Sequence, residues 1–432
     1  MKKFLTMLLS LVLAAACVVG LVGCGGEVDD PYATDVSVKI GPIAKEDLKI
    51  GVLHINPKSS PSGYTHAHQQ GIDQMIETIG LTDLEDGTVV EPGEQEDQVI
   101  YRDSLPDNVD ADISAAIDDL IAQGCNLIIG TSFGYGTMMR QKAHEYTNIL
   151  FSHGTGFYSY RYNLNNYFGR IYQARYLSGI VAGMKASEGA NIGYVSAFAT
   201  DNAECISGFN AFALGVQTVN PTAKVIVQEL KSWYDADRER SFADALLAAP
   251  YNCEIVAQHC DTSGPSEAAQ AVGKYSVGYN SDMATAITSD GSRDASVLTS
   301  VVWNWGVYYT QLVQAAIDGT WDNEGGFGNY YGSFKDGLFD IAELSPDCPE
   351  GTQEIVDLVR GIMREGTDEW DVFSGVKLSF EQNEEGVWEV VYTDADLKDN
   401  AGNVIVAAGG DSVSDQVIKS DMRFYVEGVQ IA

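Results

Sequence analysis

Short apolar runs alternate along the chain with stretches in which apolar residues recur every three or four positions. The first series of runs is Leu48–His54, Gln98–Tyr101, Asn126–Gly130 and Asn148–Phe151, rich in Ile, Val and Leu. Runs of this length with little polar alternation read as strands buried on both faces, as in a parallel sheet. Between them Ile113, Ile117, Leu120 and Ile121 fall at i, i+4, i+7 and i+8, the stripe of an amphipathic helix that Gly124 stops. The pattern then runs a second time, through Asn191–Val195, Lys224–Gln228, Cys253–Ala257 and Tyr275–Tyr279. Two doubly wound α/β lobes follow. Leu177, Ile180, Val181 and Met184 mark a helix between the two series, and another is predicted from Asn304 to Asp318 with Gly319 ending it. The last hundred residues are less regular, with a strand-like stretch at Val387–Val391 and a turn at Ala401-Gly402-Asn403. They read as completing the second lobe and strapping the hinge.

The amino-terminal end follows a different pattern. Met1-Lys2-Lys3 precedes an almost purely apolar run from Phe4 to Gly23, a positive region followed by a hydrophobic one, as in an export signal. Leu21-Val22-Gly23-Cys24 resembles the bacterial lipobox, in which the cysteine thiol carries diacylglycerol. At ~0.8 kcal/mol per buried CH₂, one acyl chain binds only marginally, so two chains are the minimum for stable tethering. The apolar run is also just long enough to span a bilayer, but it ends in Gly-Cys-Gly-Gly and not in a basic flank, which favours cleavage. Residues 25–46 carry no apolar period and read as a spacer.

Formal net charge is −35, and it becomes more negative still once Lys2 and Lys3 leave with the signal. So acidic a surface repels nucleic acid and anionic headgroups and suits an exposed, soluble receptor domain. Of seven cysteines, Cys17 belongs to the signal and Cys24 to the anchor. Cys125, Cys205, Cys253, Cys260 and Cys348 form no Cys-x-x-Cys pair. Neither a zinc site nor a full disulfide framework is indicated; Cys253 and Cys260 are placed so that they could bridge, but buried free thiols are the favoured reading.

In open parallel sheets ligands bind beyond the carboxyl ends of the strands. The segments there include Pro61–His66, Gly130–Gly136, Ser152–Phe157, Ser232–Asp235, Gln258–Ser263 and Tyr279–Asp282. Nearly all pair an aromatic ring or imidazole with a hydroxyl, amide or carboxylate. Such a mixture suits a flat ligand with a polar edge, each stacked base contributing on the order of 1–3 kcal/mol. A Walker loop, His-Glu-x-x-His and Gly-x-Gly-x-x-Gly after the first strand are all missing. Asp110-Ala111-Asp112 with Asp118-Asp119 is reminiscent of calcium-dependent nucleoside hydrolases, yet these acids open and line the polar face of the amphipathic helix, as its dipole favours. His66 and His68, two apart at a helix start, point to different faces and make a poor metal pair.

Linked motifs in the second half point to a known family. Asn166-Tyr167-Phe168-Gly169-Arg170, Tyr176–Gly183, Gly208–Gly215 with Asn220-Pro221, Ser232–Asp235, Tyr275–Asp282, Leu298–Gly306 and Phe424–Val429 resemble the basic membrane protein family, purine nucleoside receptor lipoproteins of ABC transporters. The likeness covers roughly Leu48 to Trp321 and resumes at Gly402 to Val429. It implies an α/β type I periplasmic-binding-protein fold, with two doubly wound parallel-sheet lobes joined by a three-crossover hinge and closing on the ligand. The expected division is a signal at 1–23, anchor and spacer at 24–46, one lobe from 47–166 plus 304–321, and the other from 167–303 plus 322–432. Crossovers are expected near Tyr167 and Trp303, with a return at about Trp321.

In the family's nucleoside receptors an Asp-x-Ser-Phe-Asn-like segment follows the first strand. Here Ser62-Gly63-Tyr64-Thr65-His66 stands there, so Tyr64 inherits the stacking role and the leading Asp is missing. Gly278-Tyr279-Asn280-Ser281-Asp282 matches a Gly-Val-Asp-x-Asp segment and keeps its second acid. Where the family carries a lysine beside ribose hydroxyls, this chain has Trp303, which favours a bare purine base such as adenine over a nucleoside. The expected ligand residues are Tyr64, Thr65, His66, Phe133, Tyr135, Trp233, Asp261, Asn280, Asp282 and Trp303, with Cys24 lipidated. The reading is of a monomeric, non-enzymatic substrate-binding lipoprotein. It sits on the extracytoplasmic face of the membrane, serves an ABC permease and ATPase, and has no cofactor, metal or nucleic-acid partner. Three alternatives stay open: a sugar receptor on the same fold, a sensor lipoprotein without a permease, and a nucleoside-cleaving enzyme.

Overall fold

The computed structural model describes residues 30–84 and 97–432. The signal and Cys24 lie outside the described residues. Among those that are described, no helix is long and apolar enough to cross a membrane. Residues 37–432 form one compact unit.

Its first sheet holds β1 (Ile50–Leu53), β2 (Val99–Arg102), β3 (Leu127–Gly130), β4 (Leu150–Gly154) and β5 (Leu164–Gly169). Its second holds β6 (Asn191–Ser196), β7 (Lys224–Glu229), β8 (Ile255–His259), β9 (Tyr275–Asn280) and β10 (Val297–Trp303). Both sets match the two runs of the hydrophobic pattern. Later strands return to each sheet: β11 (Tyr330–Gly332) pairs in parallel with β5, and β12 (Phe339–Ile341) runs antiparallel to β10. The hairpin strands β13 (Val376–Gln382) and β14 (Trp388–Asp394), and the short pair β15 (Leu397–Lys398) and β16 (Val404–Val406), lie outside both sheets. The chain ends in β17 (Val429–Ile431), parallel to β7. The spatial orders are β11-β5-β4-β3-β1-β2 and β12-β10-β9-β8-β6-β7-β17. Nearly every strand residue in the middle of either sheet is buried, as helices covering both faces require.

The chain therefore passes between the sheets three times, after Gly169, after Trp303 and after Gly332. The first passage and the final return fall later than the positions expected near Tyr167 and Trp321. The reason is local: Leu164–Gly169 is fully buried and completes the first sheet before the chain leaves it. The spacer expected to reach residue 46 also ends sooner. The Ile43 amide donates to the Ala316 carbonyl at 3.1 Å and Lys45 Nζ to the Ile79 carbonyl at 2.7 Å, so this stretch is laid onto the fold.

Helices Gly63–Ile79 and Trp305–Asp318 pack closely against one another. A Cβ at Gly71 would stand 2.5 Å from Trp305 Cβ, so only glycine admits this approach. His68 stacks on Trp305 at 4.5 Å, and its Nδ1 lies 2.6 Å from the Tyr309 hydroxyl. The expected helix at Ile113–Ile121 forms as Asp110–Ala122. Two of its acids form ion pairs, Asp118 with Lys142 at 2.7 Å and Asp119 with Arg102, and no metal-binding cluster occurs among the described residues. All five remaining cysteines are free thiols, Cys253 and Cys260 included.

Candidate functional site

A cavity of about 500 Å³ opens at the carboxyl ends of the strands of both sheets. From the first sheet and its loops come Tyr64, Asp107, Phe133, Phe157, Phe168 and Tyr331. Opposite stand Tyr172, Glu204, Trp233, Asp261 and Tyr279, and the segment Ile418-Lys419-Ser420 lines part of the wall. Phe133 and Phe157 are exposed and lie 6.1 Å apart at the mouth, while Tyr172 and Tyr279 are buried deep in it.

The halves touch beside this cavity at the start of helix Gly63–Ile79. Gly63 takes a left-handed φ of 84°, and its amide donates to Ser281 Oγ at 3.1 Å. A Cβ there would lie 2.2 Å from the Asp261 carbonyl oxygen. Glycine thus serves both the turn and the close approach. The next residue, Tyr64, is fixed by donating its hydroxyl to the Thr131 carbonyl at 2.6 Å and by an edge contact with His68 at 4.3 Å.

Of the residues expected from sequence, Tyr64, Phe133, Trp233 and Asp261 line the cavity together. The others do not. Thr65 is buried within the fold, and His66 Nδ1 lies 2.8 Å from the Ser60 carbonyl. Tyr135 is buried and donates to the Leu105 carbonyl at 2.7 Å. Asn280 stands behind the site, donating to Asp261 Oδ1 at 2.9 Å. Asp282 caps a short helix by accepting from the Ala284 amide and pairs with Arg293. Trp303 stacks on Trp305 at 4.2 Å and packs against Phe168 at 5.2 Å, so it backs a lining ring and does not form the wall itself. Sequence reasoning passed over Phe168, Tyr172, Glu204, Tyr331 and Lys419. Phe168 had a signal, since it lies in the motif Asn166–Arg170. Glu204 had none, sitting eight residues beyond the end of β6.

The electrostatics are lopsided. Among the described residues Asp107, Asp201, Glu204 and Asp261 line the cavity against a single cation, Lys419, whose ammonium lies 4.5 Å from the Tyr331 ring centre. Burial pushes the Asp261 carboxyl well above the usual range, with Glu239 adding to it, and pushes Glu204 up to about 7. Burial also holds His259 well below its ordinary value. Arg175 is buried, donates to the Gln258 carbonyl at 2.6 Å and sits 3.7 Å from the centre of the Tyr279 ring. Its charge is met largely by that ring face.

Gly130-Thr131-Ser132-Phe133-Gly134 has the Gly-x-Ser-x-Gly spacing of a nucleophile elbow, a match the sequence reading overlooked. The geometry is not that of a triad. Ser132 Oγ donates to Asp107 Oδ2 at 2.6 Å, and the buried His153 places Nε2 2.9 Å from the Ser132 carbonyl oxygen, with no imidazole on the hydroxyl.

Comparison with known proteins agrees with this architecture. A purine-binding protein of Brucella abortus is 28% identical over 386 residues, covering 89% of this chain and 94% of its own. A Haloferax volcanii protein, whose name assigns it glucose binding in an ABC transporter, is 29% identical over 346 residues, with 80% and 78% covered. The crystal structure of a solute-binding protein of an ABC transporter from Conexibacter woesei matches at a TM-score of 0.57 and 16% identity, over 74% of this chain and 97% of its own. That likeness shows the type I periplasmic-binding fold. Residues 66–353, about two thirds of the chain, match the family described as PnrA-like ABC transporter substrate-binding proteins, and the chain belongs to that family.

Proposed function

We propose that this chain is the lipid-anchored receptor of an ABC importer and captures a purine base of the adenine type, or a purine nucleoside, between its two sheets. The carrying observation is the cavity, in which rings from both halves surround a space with Asp261 and Glu204 at its polar edge. Rings hold a flat ligand by its faces and carboxyls read its N–H groups. Four acids against one ammonium disfavour a phosphorylated ligand. The name of the Brucella relative supports the same ligand class. Preference for the bare base rests on Phe168 with Trp303 behind it, an apolar wall where a ribose would need donors.

Isothermal titration with adenine, adenosine, inosine and glucose tests this reading. Adenine is expected to bind most tightly, and at a hundred times its Kd to stabilise the protein by ~2.7 kcal/mol. Tighter binding of adenosine would move the assignment to nucleosides. Binding of glucose alone would replace it with a sugar receptor, a second reading favoured by the name of the Haloferax relative. Release of free base from adenosine or inosine would revive the enzyme alternative. The anchor is tested separately: labelled palmitate is expected to enter the wild-type protein and not Cys24→Ala.

A further inference from the structure

The cavity contains one carboxyl whose surroundings leave it unused. Glu204 lies in the first turn of helix Ala203–Val219 and lines the cavity, and its carboxyl oxygens accept no hydrogen bond among the described residues, although its backbone carbonyl accepts one from Ser207 Oγ. Its nearest polar neighbour is His259 Nε2 at 3.5 Å, a fully buried ring with neither nitrogen bonded. His259 in turn lies between two lining rings, Tyr279 at 4.9 Å and Trp233 at 5.9 Å. The Glu204 side chain keeps 21% of its surface, and as a lining residue it turns that surface to the cavity.

We propose that Glu204 reads the ligand's edge as a neutral carboxylic acid, its O–H donating to a ring nitrogen and its carbonyl oxygen accepting from the adjacent exocyclic amine. The inference rests on the purine reading above and deepens it, naming an aminopurine with an amidine edge as the ligand. A carboxylic acid sets one donor beside one acceptor, which is the complement of that edge. A carboxylate offers two acceptors and would face the lone pair of the ring nitrogen. The helix dipole and Arg175 favour the ionised form, but burial outweighs them and brings the group to about 7. Proton and ligand are therefore taken up together as pH rises above that value.

The groups facing Glu204 are Arg175 from helix Tyr172–Lys185, Tyr194 from β6, Asp201 and Cys205 on its own segment, His259 and Asp261 at the end of β8, Tyr279 from β9, Tyr64 and Tyr331. Burial keeps the tyrosines and Cys205 protonated and His259 neutral across pH 6 to 8.5. Of these groups Asp261 is also a buried acid and needs its own control.

The test is isothermal titration of adenine into the full-length protein from pH 6 to 8.5, alongside Glu204→Gln, Glu204→Leu and Asp261→Asn. Wild-type Kd should rise above pH 7, approaching about tenfold per pH unit. Glu204→Gln, with a fixed donor and acceptor, should bind within a few fold of wild type and lose the pH dependence. Glu204→Leu should lose binding at every pH, and Asp261→Asn should keep the wild-type profile in whatever binding it retains. The wild-type profile needs no variant to fold. A Kd for adenine that is flat or improves with pH overturns the inference and leaves the purine reading standing. The same holds if Glu204→Gln fails at pH 6 as Glu204→Leu does. Absence of binding by any purine overturns both.

Discussion

At the scale of single residues, the site is built from side chains that are fixed before any ligand arrives. Trp233 is braced by Phe198 at 5.4 Å, and Tyr64 by the Thr131 carbonyl. Trp233→Ala is expected to weaken binding by ~1–3 kcal/mol, roughly five- to 150-fold in Kd, with little change in melting temperature. A change in Tm as large as that in Kd would mean the ring serves packing and not the ligand. Gly63→Ala makes the opposite kind of prediction. It strains a left-handed position and drives a methyl into the Asp261 carbonyl, so the contact between the halves must open. Small-angle scattering of the saturated variant should show a larger radius than the saturated wild type. The sequence made Tyr64, Phe133, Trp233 and Asp261 legible because each follows a strand that its own hydrophobic run reveals. It misplaced Tyr135, Asn280 and Trp303 because position after a strand identifies a loop and not the direction each side chain takes. Glu204 was illegible: its importance comes from burial beside His259, a partner 55 positions away.

At the scale of elements, the buried strands and amphipathic helices were legible, since their periods depend only on local geometry. Strands β5, β11 and β12 were not read as strands. The first is rich in Asn and Tyr, and the other two have three residues each, too few to show a period. The segment Val417–Asp421 was equally hidden, yet it brings Lys419 to the cavity and is held beside it by Arg170 pairing with Asp415 at 2.5 Å. Both partners of that pair are partly exposed, so its loss should cost under about 1 kcal/mol. A tighter constraint lies between helices Gly63–Ile79 and Trp305–Asp318. Gly71→Val inserts a branched side chain where even one carbon is 2.5 Å from Trp305, and overpacking of this kind costs roughly 1–3 kcal/mol. Calorimetry should register it as a lower Tm. An unchanged Tm would mean that the two helices separate without penalty.

At the scale of the whole molecule, the two sheets, three passages and acidic surface make a receptor whose halves share one cavity, and its stability should depend on pH in a direction that two opposing effects contest. The net charge of −35 favours unfolding through self-repulsion, and on that ground alone acidification stabilises the fold. Against this stand four buried histidines. Burial lowers His54 and His153 to about 4 and holds His68 and His259 well below their ordinary value. Between pH 6.5 and 5 most surface carboxylates remain ionised, so repulsion changes little there. The histidines decide that window. The unfolded chain takes up protons near pH 6.5 that the folded chain refuses, so stability is complete above 6.5 and is lost as pH falls toward 4. At pH 5.5 each such histidine costs roughly 1.4 kcal/mol, and four together about 5.6 kcal/mol. Glu204 works the other way, since its folded value near 7 lies above the unfolded 4.5, so it favours the folded state as pH falls from about 7 to 4.5. Asp261 and Asp371, which burial also raises, work with Glu204, so these acids offset part of what the four imidazoles cost. Melting temperature should therefore drop between pH 7.5 and 5.5 in ligand-free protein, and a rise over that interval would show that surface repulsion and the buried acids together outweigh the buried histidines.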